Sequence, residues 1–250
     1  MCLYKYVIIV HLLKINRMSI IATISNMKGG VSKSTTTIIA ATALSQEPFK
    51  LNICIVDLDR QKSIVKTRNY DVQAYSTDQV PFKVLDYSFA DLQKNIAQLD
   101  KQFDLIFLDF AGHLDDSQPI EAQQITKALV YVDFLFLPFV SGSHNLDSTL
   151  EYYEFIKKVQ VIRAVQPRAL KVFGFVSMCR PRSKANGFLL QEIEALKISE
   201  NLKMMQNAIN EFSLFRDADT ITSLYAPNSS DPAKTNFSIW LNEFLNIIQN

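Results

Sequence analysis

At 250 residues, with 48% apolar and 20% charged side chains, the chain has the composition of a globular protein with room for one sizeable core. A formal net charge of +1 argues against wholesale electrostatic attraction to nucleic acid, so any basic surface must be local. Cys2, Cys54 and Cys179 stand far apart, without the paired spacing of a zinc or iron–sulfur site, and the expected location is a reducing cytoplasm.

Met1 to Arg17 comes first, with an apolar centre from Tyr6 to Leu13, basic Lys5, Lys14 and Arg17, and no acid. The centre is too short to span a bilayer, and no small-residue cleavage site follows. The expectation is that the working protein begins at Met18, residues 1–17 being an upstream-start artefact or a loosely packed arm. Ile20 to Ile24 reads as a buried strand, and Thr35 to Leu44 as a helix packed on a sheet. Between them lies Ser25-Asn-Met-Lys-Gly-Gly-Val-Ser-Lys-Ser-Thr-Thr-Thr37. Strand, Gly-containing turn and helix, in that order, aim main-chain N–H groups at an anion. Lys33 and Ser34 stand where a phosphate-binding lysine and a magnesium-binding hydroxyl belong.

The common pattern G-x-x-x-x-G-K-[ST] is missed at both outer glycines, where Met27 and Ser32 stand. The loop instead fits the deviant form K-G-G-x-x-K-[ST], with Lys28 before the paired glycines. On these residues the chain resembles the ParA/MinD-type P-loop ATPases, which partition plasmids and chromosomes or position cell-division proteins. The plainer alternative is a Gly-Gly turn before a helix with a surface lysine.

Leu51 to Val56 forms an apolar strand running into Asp57-Leu58-Asp59-Arg60-Gln61. Carboxylates at the carboxyl end of a strand sit where open α/β sheets bind ligands. The family's D-x-D-P-Q motif matches here, with Arg60 in the place of its proline. The resemblance puts Asp57 near magnesium and gives Asp59 the attacking water. The alternative is an acidic turn that caps the following helix. Pro81 to Tyr87 reads as a strand and Ala90 to Leu99 as an amphipathic helix. Asp104 to Asp109 has the form of a Walker B strand, whose terminal Asp109 can reach a magnesium held by Ser34. Phe110-Ala111-Gly112 stands where the family has Thr-Pro-Pro; Gly112 permits a sharp turn, and His113 reads as a loop residue rather than a base.

Phe134 to Phe139, with Pro138 near its end, is a further strand, and His144 falls in a Ser/Gly/Asn loop. Leu150 to Val165 reads as a helix with the stripe Phe155, Ile156, Val159 and Ile162. Val172 to Met178 leads into Cys179-Arg180, where family members often carry Asn-Arg beside the nucleotide, so Arg180 inherits a binding position by resemblance. Between Glu151 and Lys184 stand eight basic residues, Lys157, Lys158, Arg163, Arg168, Lys171, Arg180, Arg182 and Lys184, against two acids. That cluster is either a DNA-backbone surface or a solvated helix face. Phe215-Arg216-Asp217-Ala218 resembles the family's helix start after its last strand. The tail sets Phe237, Trp240, Leu241, Phe244, Leu245 and Ile248 at helical spacing, with no basic residue after Lys234. It reads as a docked helix rather than a membrane anchor.

The expected fold is α/β, a mostly parallel twisted sheet with helices on both faces, in one ATPase domain over residues 18–250. The resemblance implies a slow, magnesium-dependent ATPase that dimerises on ATP and serves partition of a plasmid, chromosome or mobile element. Gly29, Gly30, Val31 and Ser32 would line the phosphates, Lys33 would neutralise them, and Thr35 would bond a phosphate oxygen. Lys28 would reach the phosphates of the facing subunit. Ser34, Asp57 and Asp109 would serve the metal. Partners would be a ParB-like or centromere-binding protein and non-specific DNA. Alternatives are a MinD-like membrane-associated ATPase and a nucleotide-binding module with little hydrolysis. An iron-protein reductase lacks its bridging cysteines after Asp109.

Overall fold

Most strands are apolar on both of their alternating sides, which leaves two sheet faces to bury, and the chain covers both. The computed structural model describes residues 18–110 and 119–250; the expectations for residues 1–17, Gly112 and His113 lie outside the described residues. Strands β1 (Ile20–Ile24), β2 (Ile53–Asp57), β3 (Lys83–Asp86), β4 (Leu105–Asp109), β5 (Phe134–Phe139) and β6 (Lys171–Val176) form a parallel sheet in the order β3-β2-β4-β1-β5-β6. Helices α1 (Lys33–Leu44), α2 (Ser63–Ala74), α3 (Phe89–Gln102), α4 (Pro119–Leu129), α5 (Ser143–Arg163), α6 (Lys184–Ser199), α7 (Ser213–Arg216) and α8 (Pro232–Ile248) complete the described elements.

One face carries Ala22, Ile24, Ile53, Ile55, Phe107 and Phe136 against α1, Ile64 of α2 and the tail helix α8. The other carries Ile21, Cys54, Val56, Ile106, Leu108 and Leu135 against α3, α4, α5 and α6. Because side chains alternate with period two, neighbouring residues of one strand feed opposite cores. Both faces are buried, as a parallel sheet requires.

The tail helix docks as its stripe implies. Asp231 caps it through the Ala233 N–H at 2.9 Å, Pro232 occupies the first turn, and Phe237, Trp240, Leu241 and Phe244 are fully buried. The Phe244 ring lies 4.5 Å from that of Phe136 and the Trp240 ring 5.3 Å from that of Phe175. Burying each such side chain contributes about 2 kcal/mol. No described helix is long and apolar enough to cross a membrane.

Three expectations change. Helix α5 begins at Ser143, so His144 sits in its first turn rather than in a loop. Its inner face uses Tyr152, Ile156 and Val159, while Ile162 is 60% exposed, because Arg163 takes the buried position at that end of the helix. The helix start expected at Phe215–Ala218 lies instead at Ser213, in the short α7, which ends at Arg216. Beyond α6 the described residues meet the sheet end through isolated bridges of Met204 to Gly174 and Asn210 to Cys179. Gly174 permits the first: a Cβ there would lie 2.2 Å from the Met204 sulfur.

The basic cluster does not gather on one surface. Arg163 is 3% exposed and donates to the Val132 carbonyl at 3.1 Å. Arg168 pairs with Asp133 and with Asp100, Lys157 with Glu154 and Glu200, and Arg180 with Glu211. Of the rest, Lys171 opens β6 with its ammonium over the Phe134 ring, whereas Arg182 and Lys184 follow the other end of that strand.

Candidate nucleotide-binding site

Central β1 runs straight into Ser25 and Asn26, both buried. Ser25 Oγ and the Tyr152 hydroxyl of α5 lie 2.6 Å apart. The Asn26 amide donates to the Pro138 carbonyl at 2.9 Å and to Thr149 Oγ1 at 2.8 Å, while its Oδ1 accepts the Lys28 N–H at 3.0 Å. The loop is thus anchored to the end of β5 and to α5 before it turns. Gly30 and Ser32 both adopt positive φ, +74° and +65°. A Cβ at Gly30 would meet nothing within 4 Å, so glycine serves conformation there, not space. Helix α1 then starts with the Thr36 N–H donating to the Ser32 carbonyl at 2.8 Å.

Among the described residues, the main-chain N–H groups from Gly29 to Thr35 find no acceptor. Consecutive amides at a helix N-terminus left open in this way form an anion cradle. Lys33, 9% exposed, donates from Nζ to the Lys28 carbonyl at 2.8 Å. Burial lowers its pKa, opposed by the charges of Asp109 and Asp59. Lys28 is half-buried on the same loop.

The register of β2 on β4 puts Asp57 directly beside Asp109. Asp109 Oδ2 accepts the Ser34 hydroxyl at 2.9 Å, whereas its Oδ1 is buried without a hydrogen-bond partner among the described residues. Burial pushes this carboxyl up to about 7. A buried carboxylate oxygen with no donor, next to a hydroxyl, suits a hard cation that takes few protein oxygens, such as magnesium. Asp57 is differently employed. Its Oδ1 accepts the Asp59 N–H at 3.1 Å, and its Oδ2 accepts those of Ile64 and Val65, each at 3.1 Å. It thereby also supplies an acceptor to the first turn of α2. Asp59 accepts the Gln61 N–H at 2.8 Å and stays half-exposed.

Sequence reasoning passed over Lys62. At a positive φ of 50°, its Nζ donates to the carbonyls of Asp57 at 2.7 Å and Tyr87 at 2.9 Å, and pairs with Asp86 at 2.7 Å. It ties the Asp57–Asp59 turn to the end of β3. Only tertiary contacts identify it.

Beside the loop opens a cavity of about 300 Å³, with Gly30, Ser32 and Thr35 on one side and Met178, Ile209 and Glu211 on the other. Arg180 does not line it; its guanidinium is held at the rim by Glu211, which also binds Arg216. The Arg180 hydrogen bond holds the Glu211 carboxyl down at about 2. Ser34, Lys33, Asp109, Asp57 and Asp59 are brought together, and Arg180 stands apart from them.

A parallel sheet with an amide-lined loop after its central strand and a carboxylate at the end of the neighbouring strand defines a P-loop nucleotide-binding protein. The chain belongs to the CobQ/CobB/MinD/ParA nucleotide-binding domain family, whose match covers residues 22–232. Its ParA/MinD-type members are ATPases. No curated protein matches the sequence.

Among solved structures, a plasmid partition protein from Borrelia burgdorferi is similar at 18% identity and a TM-score of 0.64, over 92% of this chain and 99% of that one. The ATP complex of a Cyanothece McdA variant is similar at 13% identity and 0.66, over 91% and 96%. Cobyrinic acid a,c-diamide synthase from Mycobacterium smegmatis, with ADP and magnesium bound, is similar at 13% and 0.63, over 92% and 95%. These likenesses share the fold.

Proposed function

We propose that this chain is a magnesium-dependent ATPase whose ATP-bound homodimer acts as a switch in partitioning a plasmid, chromosome or mobile element. The observation that carries this reading is the run of unpaired amides from Gly29 to Thr35, with the Lys33 ammonium folded back over it. Such a cradle takes a polyphosphate, and phosphoryl transfer asks for positioning and charge neutralisation rather than a protein nucleophile.

Gly29, Gly30, Val31 and Ser32 present their N–H groups to the phosphates, and Thr35 adds a hydroxyl. Lys33 exchanges the Lys28 carbonyl for the β- and γ-phosphates. Ser34 and Asp109 would hold magnesium, which would neutralise charge on the phosphate oxygens, and Asp57 would support that pair from the adjacent strand. Asp59 orients the attacking water. Lys28, whose Nζ has no hydrogen-bond acceptor or ion-pair partner among the described residues, serves the facing subunit. Arg180 acts only through Glu211, at the rim of the cavity.

The docked tail favours the partition branch over a membrane-associated one, with a ParB-like or centromere-bound partner accelerating turnover. DNA contacts would fall to Lys158, Arg182 and Lys184, because Arg163 and Arg168 are committed internally.

Phosphate release from MgATP tests the reading. The parent protein is expected to turn over slowly, and Asp59→Ala to bind ATP while losing release. Equal release by the parent and Asp59→Ala would remove Asp59 from the mechanism, and a parent that binds no ATP would overturn the whole assignment.

A further inference from the structure

Ser32 is a residue with a side chain held in the left-handed region, at φ +65° and ψ +21°. L-residues avoid that conformation, which glycine takes freely. Its hydroxyl lies 2.6 Å from Ser177 Oγ and 3.4 Å from Thr36 Oγ1. Ser177 is fully buried and directly follows β6, its N–H donating to the Phe139 carbonyl at 2.8 Å. Ser32 Oγ is its hydroxyl's partner. One hydroxyl thus donates to the other across the seam between the phosphate loop and the end of β6.

That seam borders the 300 Å³ cavity. Gly30, Ser32 and Thr35 form the loop wall. Met178, next in sequence to Ser177 and itself at φ +50°, joins Ile209 and Glu211 in the opposite wall. Cys179 and Ile209 are bonded to each other through main-chain groups at 2.9 Å, so the opposite wall moves with the end of β6. A displacement of Ser177 relative to Ser32 changes the width of the cavity without altering the amide cradle itself.

We infer that Ser32 and Ser177 are a positioning pair, a hydroxyl latch that fixes the separation of the phosphate loop from the wall that receives the rest of the nucleotide. The inference rests on the proposed nucleotide site and deepens it. A ligand that spans both walls depends on the latch, whereas a bare polyphosphate, which touches only the loop, does not. This distinguishes positioning from a general contribution to loop folding.

The test compares the dissociation constants of MgATP and magnesium tripolyphosphate for the full chain and its variants. Ser177→Ala is expected to weaken MgATP at least fivefold and tripolyphosphate less than twofold, and Ser177→Thr, which keeps the hydroxyl, to restore MgATP binding. Ser32→Gly relieves the backbone and should lose MgATP affinity to the same extent while melting no lower than the parent. The double variant should bind no more weakly than either single one, because each removes the same bond. Parent affinity for MgATP in Ser177→Ala, equal weakening of both ligands, or multiplicative losses in the double variant would each overturn the latch alone. A parent that binds neither ligand would overturn the latch together with the nucleotide site.

Discussion

Both ends of the sheet bury charged groups, and they treat them in opposite ways. At the amino end, Asp133 accepts the Ile21 N–H at 2.9 Å and both sides of the Arg168 guanidinium. Asp100 accepts the Ser19 hydroxyl at 2.6 Å and Arg168 at 3.2 Å. There these acids meet donors and Arg168 meets acceptors, while the neighbouring Arg163 leaves its Nε without a partner among the described residues. At the carboxyl end, among the described residues, Asp109 Oδ1 meets no donor, the amides of residues 29–35 meet no acceptor, and Lys33 rests on a carbonyl of its own loop. A protein interior tolerates unpaired polar groups only where something else gains by them. What marks the working end is an unpaired carboxylate oxygen facing a run of open main-chain amides and a lysine.

Substitutions at the two ends should therefore separate stability from binding. The largest effect is expected from Asp133→Ala, which takes away one of the two carboxylates of Arg168 and releases the Ile21 N–H. Urea unfolding should show a loss of about 3 kcal/mol, with nucleotide affinity of the folded fraction unchanged. A loss of affinity greater than that of Lys33→Ala would break the contrast. Lys33→Ala should do the reverse, lowering MgATP affinity roughly a hundredfold, about 2.7 kcal/mol, while the unfolding midpoint stays close to that of the parent. Asp109→Asn should give the smallest change in stability. It removes a buried charge whose Oδ1 has no donor, so a gain of about 1 kcal/mol in metal-free buffer is expected. The same variant should lose the magnesium dependence of nucleotide binding; retained dependence would point to Asp57 as the carboxylate that matters.

Much of the site was legible because its parts are local. The strand at Ile20–Ile24, the loop from Lys28 to Thr35 and the terminal position of Asp109 follow from apolar runs and fixed spacings. Backbone geometry turns such patterns into position with little help from the rest of the chain. That Asp57 also accepts three main-chain N–H groups was not legible, because which acceptor a helix N-terminus takes depends on how α2 leaves β2. Lys62, Asn26 and Ser177 escaped attention because their partners lie far along the chain.

The basic cluster shows the same limit from the other side. Eight cations within a short stretch look like a surface, yet Arg163 and Arg168 turn inward to carbonyls and acids contributed by α3 and the segments just before β1 and β5. Sequence spacing sets which side chains share a helix face, but not what that face meets.

Sequence alone determined the strand–loop–helix cradle, the parallel α/β class and the apolar stripe of the tail, because period and local backbone preference act over a few residues. Tertiary structure decided which carboxylate keeps an open oxygen, which arginines are structural, and that Ser32, in a conformation suited to glycine, is held by a hydroxyl from the far end of β6. Those outcomes depend on long-range contacts, and burial sets their energies only once the sheet has brought its strands together.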